Sequence, residues 1–302
     1  MTLNRRHFLG ASSAMMLLGA CTGAKPGANG AGTAPLRSID KVGIQTYTLR
    51  EAMGEDFVGT LQMIKDVGYD YVELNGRDFS EKTPADVRAI LNDIGLPSPI
   101  THGDYDSLRD RPEEWADIAA ALEAEYVILP WLNDDQRALD DYKAHAEMLN
   151  RAGEVLKPAG VKVGFHNHQF EFFDLGDGQT GMEALLKETD PDLVHFELDL
   201  FWAALAGADI VGLFKAHPGR FKMCHVKDLK GDASGYRNSM DFAAIVPQFM
   251  ANVGEGDLPF ETYFAASDVA GLEYFIAEHD NPPRPFRDAV KTSHDSIRAM
   301  RF

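Results

Sequence analysis

Six short segments of this chain end in a side chain able to hold a metal ion or move a proton. The second β-rich run ends near Glu73, the third at His102, and the fifth at His166-Asn167-His168. The sixth ends at Asp199, the seventh at His225 and the eighth at Glu278. Histidine and carboxylate donors without thiolates suit Mn²⁺, Co²⁺, Mg²⁺ or Zn²⁺ and disfavour a structural zinc site. Each residue alone has a plain structural reading. His102 precedes Gly103 and could sit in a loop, and Asp199 follows the apolar run Val194–Leu198 and could cap a helix. His225 could be a satisfied core histidine, and Glu278 a surface carboxylate. His166 and His168 alternate around Asn167, so a continuing strand puts both on one side. As core residues, two buried imidazoles would need partners.

What would gather these residues is the order of elements. Short β-rich runs alternate with amphipathic stretches to the C-terminus. Strands are expected at Val42–Thr46, Tyr69–Leu74, Pro99–His102, Tyr126–Pro130, Val161–His166, Leu193–Asp199, Phe221–Val226 and Leu272–Glu278. Helices are expected from about Asp56, from Thr83-Pro84 to Gly95, and after Arg111-Pro112. Others fall over 136–157, from Met182, around 203–216, near 259–269 and over 285–300, with a long loop at 227–257. Strict βα alternation implies a parallel sheet with crossover helices, and eight units close a barrel. An open doubly wound sheet is the rival, but no GxGxxG follows the first strand. In a single (β/α)8 TIM barrel all strands point their C-terminal ends to one face, so the polar strand ends converge there.

Residues 1–21 read as an export signal. Arg5-Arg6 precede the apolar stretch Phe8–Ala20, which is short for a membrane span. RRHFLG resembles a twin-arginine signal, and Leu18-Gly19-Ala20-Cys21 a lipobox. Lipidation of Cys21 would hold the protein on a membrane leaflet as an exported, periplasmic lipoprotein. Residues 22–35 are rich in Gly, Ala, Pro and Thr and read as a flexible tether. That leaves 36–302 for one barrel. The net charge of −18 argues against nucleic acid as a partner. The chain has two cysteines, so no disulfide framework is expected; Cys224, inside an apolar strand, reads as an inert core residue.

Over 36–302 the chain resembles the xylose-isomerase-like, or sugar phosphate isomerase/epimerase, superfamily. The stretches that carry the likeness are Gly43–Arg50, Tyr71–Leu74, Gly164–Phe172 (GFHNHQFEF), Leu198–Trp202, His225–Asp228, Val253–Gly256 and Ala277–Asp280. The resemblance implies a divalent metal held by Glu, Asp, His and Glu on strands five to eight. Asp199, His225 and Glu278 match the last three. Where the family's ketose epimerases carry the strand-five Glu this chain has Gly164, so His166 or His168 would supply that ligand, or water would. The missing Glu also serves those epimerases as one of an acid/base pair.

The resemblance further implies proton abstraction next to a carbonyl, giving an enediolate. Glu278 is the first candidate for the acid/base, and His168 and Lys227 are candidates for moving protons or steadying an anionic intermediate. Glu73, His102 and Trp202 are candidates for binding a small sugar or keto-sugar. Isomerisation or epimerisation leads; elimination or hydration of a 3-keto-sugar or 3-keto-glycoside is the alternative, favoured by the strand-five departure. A metal-free sugar-binding lipoprotein and an endonuclease-IV-like enzyme are the readings from other classes. Export and negative charge oppose the latter.

Overall fold

The computed structural model describes residues 36–79 and 81–302. The export signal, the tether and Cys21 lie outside the described residues. Eight parallel strands form a closed barrel: β1 (Gly43–Gln45), β2 (Tyr71–Leu74), β3 (Ile100–His102), β4 (Tyr126–Leu129), β5 (Lys162–His166), β6 (Val194–Asp199), β7 (Phe221–Val226) and, last, β10 (Tyr274–Ala277). β1 pairs with both β2 and β10, which closes the ring. The other two strands, β8 (Asp228–Leu229) and β9 (Met250–Ala251), form a small antiparallel pair.

Local sequence explains where elements begin and end. Thr83 caps the helix Pro84–Ile94 in a capping box, with Pro at the first turn, and Gly95 closes it with φ 73°. Asp56, Asp104 and Thr180 each accept a backbone N–H at a helix start. Outward-facing strand residues pack under the helices: Val72, Val127, Val163, Phe165, Phe196, Leu198 and Cys224 are buried in one large core. Inward-facing Ile100, Tyr126, Ile128, Met223 and Ile276 form a second cluster that fills the barrel below the polar strand ends. The barrel is therefore plugged by apolar side chains, and only its C-terminal mouth is open for chemistry.

Three expectations need correction. The region 227–257 is not simply a loop; it holds the β8–β9 pair and a helix, Phe242–Phe249, that buries Ile245, Val246 and Phe249. Pro247 lies inside that helix and weakened its sequence signal. The region 203–216 is two helices, Leu200–Ala206 and Ile210–Ala216, separated by Gly207 at φ 83°. The region 259–269 is likewise two short helices, Phe260–Phe264 and Ser267–Ala270. Among the described residues, no helix is long and apolar enough to cross a membrane.

Candidate metal and sugar site at the barrel mouth

Alternation along each strand decides which side chains enter the barrel. Gln45, Glu73, His102, His166, Glu197, Asp199 and His225 all point inward and are buried. On β6, Glu197 and Asp199 are two residues apart and share the inner face. The β6–β7 register shifts at Phe196/Glu197, an irregularity that sets Glu197 opposite Met223 and Asp199 opposite His225.

Two groups of donors meet at His225. The deeper one joins His102, His166, Glu197 and His225; the outer one joins Asp199, His225 and Glu278. In the deeper group, Glu197 Oε2 lies 3.1 Å from His102 Nε2, 3.1 Å from His166 Nδ1 and 3.2 Å from His225 Nε2. Glu73 backs it, with Oε1 at 3.0 Å from His102 Nε2 and Oε2 at 2.6 Å from His225 Nε2. In the outer group, His225 Nδ1 is 2.6 Å from Glu278 Oε2 and 3.9 Å from Asp199 Oδ2. The Lys227 ammonium also lies there, 3.0 Å from Asp199, 2.8 Å from Glu278 and 2.9 Å from Asp280.

The donor chemistry fits a divalent ion. One buried polar atom of the floor, Glu197 Oε1, lacks any partner where a cation would satisfy it. Asp199 serves in two ways. Its Oδ1 accepts from the Trp202 N–H at 3.0 Å and caps the helix Leu200–Ala206, while Oδ2 faces Lys227. Asn167 ties β5 to β6, accepting the Asp199 N–H at 3.0 Å.

Charge is distributed unevenly across the mouth. Burial opposes ionisation of Glu278, yet Lys227 and His225 outweigh it and hold its carboxyl well below the usual range. Burial lifts Asp199 to about 6 against the pull of Lys227. Burial opposes protonation of His102, but Glu73 and Glu197 raise it to about 9. Burial, reinforced by His225, lowers His166 to about 3, and burial keeps His168 well below its ordinary value. His166 and His168 are thus neutral, whereas burial of His225 is outweighed by Glu197 and Glu278, which raise it well above its ordinary value.

A cavity of about 760 Å³ opens over this floor, lined by His102, His166, His168, Lys227, Glu278 and Trp131, among others. Of the residues expected to meet substrate, His102 lines it, whereas Glu73 and Trp202 do not. Glu73 is wholly buried beneath His102 and His225, and Trp202 is wholly buried against Phe201 and Phe242. The exposed aromatic on the cavity wall is Trp131, edge-on to His168 with ring centroids 4.8 Å apart. Glu171, just beyond, accepts the His168 N–H at 2.8 Å and the Tyr142 hydroxyl at 3.2 Å; burial nevertheless raises its carboxyl to about 8.

Sequence reasoning missed Glu197, because Val194–Leu198 was read as an apolar run. The signal was present: Glu197 and Asp199 repeat the two-residue spacing of His166 and His168. Gly164, singled out by the sequence as the departure from the epimerase pattern, is tightly enclosed. A Cβ there would lie 2.6 Å from Ile128 Cδ1 and 3.2 Å from the His195 carbonyl oxygen, so the position admits no side chain without rearrangement. The strand-five donor to this site is His166.

Comparison with known proteins agrees with this architecture. An inosose dehydratase from Geobacillus kaustophilus (strain HTA426) is 28% identical over 249 residues, covering 73% of this chain and 79% of that protein. Another, from Geobacillus thermodenitrificans (strain NG80-2), is 30% identical over 153 residues, covering 47% of this chain and 49% of that protein. The second match thus spans about half the relative's length. A crystal structure of a sugar phosphate isomerase/epimerase from Parabacteroides distasonis ATCC 8503 superposes with a TM-score of 0.72 at 26% identity, covering 89% of this chain and 96% of that one. A family model, the xylose isomerase-like TIM barrel, matches residues 61–300, and the chain belongs to that family.

Proposed function

We propose that this protein is a divalent-metal-dependent lyase that removes water from a keto-sugar or keto-cyclitol. The observation that carries this reading is the asymmetry of the mouth. One carboxylate, Glu278, is held ionised by Lys227 and His225, and strand five presents His166 where two-base epimerisation would want a second carboxylate. Elimination needs a base on one face only. Glu278 takes the proton from the carbon next to the ketone, and the C–H electrons pass into the enolate. The C–O bond at the β-carbon then breaks, and the proton held by Glu278 leaves with the hydroxyl as water, giving an enone. Lys227 steadies the negative charge as it develops. A bound divalent ion, held by residues of the two groups that share His225, would supply Lewis-acid stabilisation of the enolate oxygen. His168 and Trp131 orient the ring, and the 760 Å³ cavity leaves room for a substituent beyond it.

The names of the inosose dehydratases support this reading. Likeness to the sugar phosphate isomerase/epimerase supports a second one, in which the same enediolate is reprotonated rather than eliminated. One experiment separates them. Metal-loaded protein is incubated in D2O with a panel of 3-keto-sugars, 3-keto-glycosides and keto-inositols, and products are followed by mass spectrometry and enone absorbance. Loss of one water, abolished by Glu278→Gln, supports the lyase. Deuterated isomers of unchanged composition would replace it with the isomerase reading, and no exchange across the panel would refute both. We also propose that the protein is exported and carries lipid on Cys21. Mass spectrometry of the mature N-terminus tests this, and an intact Met1 in cells would refute it.

A further inference from the structure

We infer that the substrate carries an anionic group, a carboxylate or a phosphate, and that Arg50 and Arg77 receive it beside the Tyr47 ring. The inference rests on the sugar-converting reading above, whichever of its two reactions holds.

Both arginines stand at the mouth of the barrel. Arg50 opens the helix Arg50–Glu55, which follows β1 through the short helical turn Thr46–Leu49. Arg77 lies in the turn Gly76–Phe79, just after β2. β1 and β2 are paired neighbours, so the two side chains meet in one sector of the mouth. The Arg50 guanidinium carbon is 4.4 Å from the centre of the Tyr47 ring and that of Arg77 is 5.5 Å away. Such contacts orient a guanidinium without consuming its N–H donors. Asp78 braces the same turn: its Oδ2 accepts the Thr46 hydroxyl at 2.6 Å and the Asn75 N–H at 2.9 Å.

Charge is the second observation. Each guanidinium carries five N–H donors. Among the described residues neither arginine has an ion-pair partner; the Arg50 side chain donates once, to the Tyr47 carbonyl at 3.1 Å, and that of Arg77 not at all. Acidic residues outnumber Lys and Arg by 47 to 29, so the missing partners are a matter of placement. The carboxylates nearby in the cavity or the sequence are engaged elsewhere. Glu278 and Asp280 pair with Lys227 at 2.8 and 2.9 Å, and Glu51 pairs with Arg284 at 2.6 Å. Two unpaired guanidiniums on a cavity wall suit the oxygens of a carboxylate or phosphate.

Shape gives the group a place to go. Tyr47, Arg50, Asn75 and Arg77 line both the 760 Å³ cavity and a second one of about 490 Å³, so they form the boundary between them. A charged substituent on a ring held over Glu278 finds cations at that boundary. Glu55 and Glu81 also line the second cavity, beyond ion-pair distance of either arginine, and would stop an anion from passing deeper. The wall supplied by Trp131 and by the helix Phe242–Phe249 is apolar instead and would solvate an anion poorly. The two walls together fix which way round the substrate sits.

Calorimetric titration of the metal-loaded full chain reads binding without turnover. The probes are matched pairs: methyl glucoside against methyl glucuronide and against its own 6-phosphate, and phenyl glucoside against 4-carboxyphenyl glucoside. At least one anionic probe is expected to bind about tenfold or more tightly than its neutral partner, and which one does so tells carboxylate from phosphate. Added salt should erode the difference. In the double variant Arg50→Gln/Arg77→Gln the ratio is expected to fall to about one. Partners that bind alike, no binding by any anionic probe, or a ratio that survives the double substitution each overturn the inference. Circular dichroism checks the fold of the variant, and the wild-type ratio needs no variant. Discrimination without water loss or deuterium exchange in any keto form would defeat the proposed reaction alone. Conversion of keto-sugars by protein that binds charged and neutral partners alike would defeat this inference alone.

Discussion

Glu171 offers the sharpest test of how burial sets charge near this site. Its carboxyl is wholly buried, and burial raises it from 4.5 to about 8 despite hydrogen bonds from the His168 N–H and the Tyr142 hydroxyl. The folded protein therefore holds this proton more tightly than the unfolded chain does. Stability from the group is complete below the unfolded value and is lost as pH rises toward the folded one. Glutamine mimics the protonated form: its oxygen can accept from His168 N–H while its amide donates to Tyr142. Glu171→Gln should match wild type near pH 5 and gain on it by about 1.4 kcal/mol per pH unit, or roughly 4 kcal/mol by pH 8. Urea unfolding of both proteins at pH 5, 6.5 and 8 measures this directly. A stability difference that stays constant across that range would refute the reasoning, because it would mean Glu171 ionises in the fold much as it does in water.

Other outcomes follow from the same geometry. Asp228 accepts four backbone N–H groups, from Leu229, Gly254, Gly256 and Leu258, at 2.9 to 3.2 Å; Asp228→Asn keeps one accepting oxygen and should cost about 2–4 kcal/mol in denaturant unfolding. Lys227→Met strands Asp199, Glu278 and Asp280 and should destabilise the chelator-treated protein by about 3–5 kcal/mol, read by the same method. Trp131→Ala should raise KM several-fold with little change in kcat and leave metal content untouched. Trp202→Ala, which empties a buried site, should instead lower stability by about 3–5 kcal/mol.

Much of the site was legible before the structure because a parallel barrel turns sequence order into spatial convergence. His102, His166, Asp199, His225 and Glu278 were found by reading only the last residues of the strands. What escaped depended on three-dimensional packing. The helix after Asp199 turns Trp202 toward Phe201 and Phe242, away from the cavity, and nothing in the order of residues fixes that rotation. Glu73 reads as a mouth residue, but β2 ends low enough to leave it under the imidazoles. The helix Phe242–Phe249 went unread because Pro247 interrupts its pattern, yet Phe242 and Val246 help line the cavity. Glu197 was hidden by its neighbours: a carboxylate among Val194, Phe196 and Leu198 looks incidental until alternation is counted.

Gly164 carries a consequence for redesign as well as for chemistry. With Ile128 Cδ1 and the His195 carbonyl pressed against the place of its missing side chain, a glutamate enters there only if its neighbours shift. At least Ile128 would have to shrink first, and that step alone opens a void in the barrel plug with no catalytic return. His102, His166 and Glu197 meanwhile fill the volume above. Laboratory evolution toward a two-carboxylate epimerase would more readily recruit a new acid from the loops around the mouth than place one at Gly164.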